Sequence, residues 1–385
     1  MSPLYLTNNP NLASTSRILQ AWVRLGRERG QRPAVVVQRD GAFPDWLRSE
    51  GVPCLVSPMP WFDKLRPWRA VLEARRIAAW AKRQRAELIH CNEHDVYPFA
   101  SLLKRFLPRP MVCHVRYRIE HDFAAWAFGG RKRPDALLWT SRQQQADSFD
   151  AIDGVVPESA QHLVHLGIDV ERCKATRESG GGLRQEISTE SDQLVVGTAS
   201  PLRPRKRVLD FIDVMQRLCD TNPRLVALVA GGEISGDEDY RAQVEQRIAE
   251  SGLGSRLRWL GNLDPIEPFH HACDISVSTS EYETFGNSVC EAMACGKPVV
   301  AYDGGSVGEV LGDTGRLVGV GDRDALCSEI QSLLENPAER ERLGTSAQYR
   351  VLTEFSPAKS FGQVQSIYEG LKTVPTTQRA EATPC

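Results

Sequence analysis

The chain has 385 residues, 41% apolar and 25% charged, with a formal net charge of -2 and a mean hydropathy of -0.34. That length suits two domains of about 150–200 residues better than a single core. No run approaches the roughly 18 apolar residues of a membrane span, no basic and apolar leader opens the chain, and the ten cysteines form no CxxC pair. A spanning protein, a secretory precursor and a zinc scaffold are therefore not expected, and a reduced cytoplasmic protein is. The charge is uneven: residues 1–180 carry 27 Lys and Arg against 19 Asp and Glu, and the remainder carries 20 against 30. A basic half before an acidic half suggests a different partner for each.

In chain order, residues 4–6 read as a strand, 16–29 as a helix and 34–37 as a strand. Residues 68–85 have the period of a long helix, and 88–90, 111–115, 137–140 and 162–165 read as further strands. Strands alternating with helices indicate parallel βαβ units in a doubly wound sheet. Residues 174–192, KATRESGGGLRQEISTESD, have no apolar period and read as an interdomain linker. The alternation restarts with strands at 194–197, 225–230, 257–260, 275–279, 298–302 and 316–318 and helices at 208–218 and 240–250. The expected fold is α/β, with two Rossmann-like doubly wound domains facing a central cleft. The first spans 1–173 and the second 193–357; a last helix, 358–372, returns to the first, and 373–385 form a disordered tail. Ligands of such sheets bind beyond the carboxyl ends of the strands, so residues just after strands are the site candidates.

The most informative segment follows the strand at 275–279. It reads EYETFGNSVCEAMACGKPVVA over residues 281–301. Glu283 lies in a loop, and Glu291 lies just over one turn inside a helix at 287–294, so both can face one pocket. Gly286, without a Cβ, lets a ligand approach the backbone. Asn287 or Ser288 suits a helix N-cap, and the first helical amides can hold an anion. A carboxylate accepting from two hydroxyls suits a sugar or ribose diol, at about 1.5–3 kcal/mol for each hydrogen bond to the charge.

This segment resembles the E-x7-E signature of family 4 glycosyltransferases, retaining enzymes of the GT-B fold, and the EAMA-x-G-x-PVVA run that follows it. LVAGGE at 228–233, residues 260–262, Gly304-Gly305 with Glu309, and residues 315–318 are similar to further stretches of that family. The resemblance implies that Glu291 holds ribose hydroxyls, that Glu283 contacts the donor sugar near the reacting centre, and that amides around Phe285, Gly286, Asn287 and Ser288 hold sugar and diphosphate. VGTASPLRPRKRV at 196–208 resembles the family's phosphate-clamp loop, which begins near Gly197. Lys206 matches its lysine. The usual arginine is missing, Pro201 or Ser200 standing in its place, and Arg203 and Arg205 are the candidates to compensate. Arg207 replaces a common glycine.

The N-terminal half departs further. Where the family has a Gly-Gly pair after the first strand, Ala13-Ser14 stands, so Ser14 is a donor only through its amide and hydroxyl. His114 matches a cleft histidine. Alternation puts His114 and Arg116 on one side of a strand end, and either can face the leaving phosphate or the acceptor. His90, Asn92, Glu93, His94 and Asp95 cluster after the preceding strand as an acceptor surface. Residues 61–85 mix Trp61, Trp68 and Trp80 with eight basic residues, a composition compatible with peripheral contact at an anionic membrane, on its inner face, or with a packed helix whose basic side is solvated. Asp322-Arg323-Asp324 reads as helix capping rather than as a metal motif.

The function the resemblance implies is retaining transfer of a hexose from a nucleoside-diphosphate sugar to a hydroxyl acceptor: a small molecule, a glycan or a lipid-linked acceptor. No metal ion or cofactor is expected beyond that co-substrate, and no nucleic-acid partner. Two alternatives stand beside it: a GT-B sugar-nucleotide epimerase, which needs no acceptor, and a sugar-nucleotide-binding module without catalysis.

Overall fold

The structure is a computed structural model that describes residues 1–12, 15–61, 66–187, 192–232 and 236–373. It divides into two units, the first formed by residues 1–167 with the last helix, Pro357–Thr373, and the second by residues 168–356.

The first unit is a parallel sheet of seven strands: β1 (Pro3–Thr7), β2 (Ala34–Val37), β3 (Cys54–Val56), β4 (Leu88–Cys91), β5 (Met111–His114), β6 (Ala136–Trp139) and β7 (Gln161–Leu163), in the order β3-β2-β1-β4-β5-β6-β7. The strands β1, β2, β4, β5 and β6 are buried at every residue. Helices on both faces of a parallel sheet demand that, and it explains the unbroken apolar runs in the sequence. The edge strand β3 is three half-buried residues, too short for a periodic signal. The last helix packs here: Trp22 Nε1 donates to Ser360 Oγ at 3.0 Å, and His90 Nδ1 lies 2.6 Å from the Tyr368 hydroxyl.

The second unit is a parallel sheet of six strands: β8 (Leu194–Ala199), β9 (Leu225–Ala230), β10 (Leu257–Trp259), β11 (Ile275–Ser278), β12 (Val299–Tyr302) and β13 (Arg316–Val318), in the order β10-β9-β8-β11-β12-β13. The strand order reverses between β1 and β4 in one unit and between β8 and β11 in the other. A crevice opens at such a reversal, beyond the strands' carboxyl ends.

The segment expected to be a linker is different. Residues 174–192 include a whole helix, Arg177–Ile187, inside the second unit. Its three consecutive glycines disfavour helix, but tertiary contacts override them. Ile187 is buried, Leu183 packs beside it, and Arg184 donates to the Ala272 and Gln193 carbonyls and pairs with Asp274 at 2.9 Å. The division between units falls instead after Gly167. Of the expected tail at 373–385, residues 374–385 lie outside the described residues.

Four buried histidines bear on pH, and burial lowers His94 as it does the other three. Burial holds His90 and His270 at about 3 and His114 well below the ordinary 6.5. Each is therefore protonated in the unfolded chain before it is in the folded one. Stability is full above about pH 6.5 and falls below it, by about 1.4 kcal/mol per pH unit for each group, until the folded value is reached. The urea midpoint is expected to drop steeply between pH 6.5 and 5. His270→Gln should show a shallower drop; an equal slope would remove His270 from the account.

Candidate active site

The reversal point of the second unit gathers the strongest candidates. After β8 the chain runs through Arg203 into a tight turn, Pro204–Lys206, and after β11 it runs through Thr279 to Gly286. The Lys206 ammonium and the Glu283 carboxylate form an ion pair that is largely buried. Burial pushes the Lys206 ammonium below the usual lysine range, and the Glu283 charge opposes that push. Around the pair the two loops are joined through backbone carbonyls. Thr279 Oγ1 donates to the Lys206 carbonyl at 2.8 Å, Glu281 N to the Arg205 carbonyl at 2.9 Å, and Arg205 Nη1 to the Tyr282 carbonyl at 3.1 Å. A third loop, after β12, closes on Glu283. Glu283 N donates to Gly304 O at 3.2 Å and Ser306 N to Glu283 O at 2.8 Å. Gly305 has φ +62°, and a Cβ on it would stand 2.4 Å from the Glu283 carbonyl, so the bridge needs glycine there.

Glu291 lies in the helix Asn287–Ala294, half-buried. The N-cap expected of Asn287 or Ser288 is corrected. Gly286, left-handed at φ +95° and ψ +57°, is the cap and has no side chain to offer the first amides. The Ser288 hydroxyl is turned instead to the Ala199 carbonyl at 2.5 Å, tying the helix to the end of β8. Phe285 is buried, its ring edge-on to Phe355 at 5.5 Å between centroids.

Other candidates fall elsewhere. Arg203 is paired with Asp237 at 2.7 Å. Gly197 sits inside β8, where a Cβ would meet Cys273 Sγ at 2.4 Å and Phe269 at 2.8 Å; it makes room for packing and is not at the strand end. Asp322 accepts from Ala325 N at 2.9 Å, the capping geometry expected of it. Ser14 and Glu233 lie outside the described residues.

Arg207 explains one departure from the family. It stands where a glycine is common, and its φ is +49°, in the left-handed region. Its side chain pairs with Asp210 at 2.7 Å and reaches Glu281 at 4.0 Å. Sequence reasoning missed Asp210, a buried carboxylate that also receives Arg323 at 2.9 Å and the Tyr302 hydroxyl at 3.1 Å. An acid on the buried, apolar side of the amphipathic helix Val208–Thr221 was the available signal.

The reversal point of the first unit holds a buried polar network. Glu93, after β4, accepts from Thr7 Oγ1 at 3.0 Å, Asn8 N at 3.3 Å and Asn92 Nδ2 at 2.5 Å. Arg116 donates to the Asn92 carbonyl at 2.8 Å and to its Oδ1 at 2.9 Å, so Asn92 relays between the two charges. Burial raises the Glu93 carboxyl, with Arg116 opposing it, and lowers Arg116 to about 10. The role expected of His114 is corrected. Its side chain is fully buried, stacked on Trp22 at 5.6 Å and 6.0 Å from the His90 ring, and offers no atom to solvent. β5 ends at His114, so strand alternation does not extend to Arg116. Among the described residues no three His, Cys, Asp or Glu side chains are grouped as metal ligands, and His90 is engaged with Tyr368.

The chain is similar to known proteins in sequence and fold. Residues 183–350 match the family model of glycosyl transferases group 1. The lipopolysaccharide core biosynthesis mannosyltransferase LpsB of Rhizobium meliloti (strain 1021) is 24% identical over 361 residues, covering 93% of each chain. LpcC of Rhizobium leguminosarum bv. viciae, of the same description, is 24% identical over 306 residues, covering 79% of this chain and 83% of its own. Among solved structures, Anabaena Alr3699/HepE in complex with UDP and glucose superposes with a TM-score of 0.82 at 24% identity, over 97% of this chain and 100% of its own. The fold is the GT-B architecture, and the match to the glycosyl transferases group 1 model falls in the second unit.

The left-handed position at Arg207 is testable. A side chain there costs about 1–2 kcal/mol, and a part-exposed ion pair returns about 0–1. Arg207→Gly and Arg207→Ala both lose the Asp210 pair, but only Ala keeps the strain. Arg207→Gly should be more stable by about 1 kcal/mol in chemical denaturation; equal stabilities would show that the backbone there is not strained.

Proposed function

We propose that the protein is a retaining glycosyltransferase that moves a hexose from a nucleoside-diphosphate sugar to a hydroxyl acceptor. The observation that carries this reading is the meeting of Lys206 and Glu283 at the reversal between β8 and β11, beside a helix whose N-cap is a bare glycine. Lys206 answers the diphosphate, Glu283 the sugar hydroxyls, Glu291 the ribose, and the first amides of Asn287–Ala294 a phosphate oxygen. Arg205, tethered to the Tyr282 carbonyl, is the nearer substitute for the missing arginine, since Arg203 is held by Asp237. No resident metal or cofactor enters the scheme.

Breaking the glycosidic bond moves roughly one negative charge onto the terminal phosphate. An ammonium already in place gains interaction in the transition state relative to the bound donor, which is what accelerates the step. In the resting protein Glu283 holds that ammonium in position.

The relatives' names support a mannose donor and a lipopolysaccharide core acceptor, while Alr3699/HepE is described with UDP-glucose. A lipid-bearing acceptor agrees with the exposed face of the helix Pro67–Arg83, where Trp68 and Leu72 stand among Arg69, Arg75, Arg76 and Lys82. That face suits peripheral contact with an anionic membrane. No helix among the described residues is long and apolar enough to cross one.

Turnover with a panel of uridine- and guanosine-diphosphate hexoses tests the reading. Lys206→Ala should lose about 10²–10³ in kcat, with thermal unfolding showing that the variant is folded. Glu291→Ala should weaken the free nucleoside diphosphate and the full donor alike, while Glu283→Ala spares the diphosphate and cuts turnover. The opposite split in calorimetry would remove the assignment, and product of inverted anomeric configuration would remove retention.

A further inference from the structure

We propose that the first unit carries, at the amino-terminal edge of its sheet, a binding site for a phosphate group distinct from the donor site. A cavity of about 290 Å³ opens there, lined by Arg27, Arg32, Arg83 and Arg85 together with Gln31 and Gln84. The volume is near the lower end for small-molecule sites, about 300 Å³. Among the described residues no carboxylate lines it. Among the described residues Arg27 is the one of the four with an ion pair: it donates to the Glu50 carbonyl at 2.8 Å and stands 4.0 Å from the Glu50 carboxylate, which Arg24 already holds at 2.9 Å. Four guanidiniums gathered beside one shared carboxylate repel one another, and their planar donors match phosphate oxygens.

The arginines come from the ends of two helices and the turns that follow them. Basic residues at helix ends ordinarily complement the helix dipole, and Arg27 and Arg83 are placed to do so. Arg32 and Arg85 lie beyond the helices, and Arg85 carries the argument. Three helices reach this edge: Thr15–Glu28, Ala42–Ser49 and Pro67–Arg83. Each ends in the same paired hydrogen bonds. Gly30 N donates to Arg27 O and Gln31 N to Gly26 O; Gly51 N donates to Arg48 O and Val52 N to Leu47 O; Arg85 N donates to Lys82 O and Ala86 N to Ala81 O. This closing motif places one residue in the left-handed region, and glycine takes it almost by default. Gly30 at φ +77° and Gly51 at φ +65° obey; Arg85 at φ +57° does not. Dipole compensation does not require that exception, because Lys82 and Arg83 already occupy the last turn. A strained backbone kept in place of a freely available glycine points to the side chain it carries, and that side chain faces a cavity of three other guanidiniums.

The chemistry fixes a phosphate group, and two sources supply one: a soluble phosphorylated molecule or the headgroup of an acidic lipid. The test is calorimetric titration of inorganic pyrophosphate into the unaltered full chain, Arg85→Gly, Arg32→Gln and Lys206→Ala. Arg85→Gly relieves the left-handed strain, so it should melt at or above the unaltered temperature while binding pyrophosphate at least tenfold more weakly, about 1.4 kcal/mol. Arg32→Gln should weaken it in the same direction, and Lys206→Ala should keep this binding. Co-sedimentation with phosphatidylcholine vesicles, with and without phosphatidic acid, separates the sources. Retention that needs phosphatidic acid and disappears in Arg85→Gly assigns the lipid. Pyrophosphate binding that responds to Arg85→Gly without such retention assigns the soluble ligand. Pyrophosphate binding that follows Lys206→Ala alone, or no binding of either probe, overturns the proposal.

Discussion

The second unit is organised around one buried ion pair, Lys206 with Glu283, joining loops 77 residues apart in sequence. Taking two charges out of water costs several kcal/mol for each, and their attraction offsets this only when geometry and extra hydrogen bonds are good. Such a pair cannot sit on loose loops. The surrounding backbone contacts are what it requires: Thr279 on the Lys206 carbonyl, Glu281 on Arg205, and the bridge from Glu283 to Gly305. The glycine pair follows from the same constraint. A Cβ on Gly304 would stand 2.4 Å from the Ser280 carbonyl, so the loop after β12 reaches Glu283 only without side chains.

The first unit places a carboxylate at the equivalent point of its own sheet and solves the problem differently. Glu93 is more deeply buried than Glu283 and receives neutral donors, Thr7, Asn8 and Asn92, with Arg116 acting across Asn92. Burial outweighs the attraction for both charged groups, raising the acid and lowering the base. The two reversal points are thus chemically distinct despite one topology. The second offers a cation and an anion to a ligand, and the first uses its charges to fix the ends of β1, β4 and β5.

Strands buried on both faces were legible where they are unbroken apolar runs, and β2 and β9 have the bounds read from sequence; β13, partly exposed and opening on Arg316, has them too. Elements whose stability comes from elsewhere were not legible. The helix Arg177–Ile187 depends on Arg184 reaching Ala272 and Asp274, about 90 residues away, and nothing local announces it. Of the site, Lys206, Glu283 and Glu291 stood out through spacing and resemblance. His114 stood out for the same reason and lies in the core, because a residue at a strand end faces either solvent or the neighbouring helix, and Trp22 decides that here. Gly197 is the parallel case inside a strand, where glycine answers a crowded neighbour rather than a ligand.

Capping carries the same lesson to the chemistry. A helix opens with four amides that lack partners within it. At four helices a side chain supplies an acceptor: Ser141 for Gln144, Asp169 for Arg172, Asp322 for Ala325 and Asn336 for Glu339; others, such as Ala42–Ser49 behind Gly41, have none. At Asn287–Ala294 the cap is glycine, and the adjacent hydroxyl of Ser288 is committed to Ala199. Replacing a side-chain cap by alanine costs about 1 kcal/mol, but replacing it by glycine costs only a few tenths. Glycine is therefore the residue that puts no side-chain acceptor on these amides at small cost to the helix. It also lets an anion approach to a distance that a Cβ would prevent, beside the Lys206 and Glu283 charges. An aspartate in place of Gly286 would occupy the amides with its own carboxylate and set a negative charge where a diphosphate has to lie. In the reading proposed above, the bare cap is thus as much a part of the donor site as the two charged side chains.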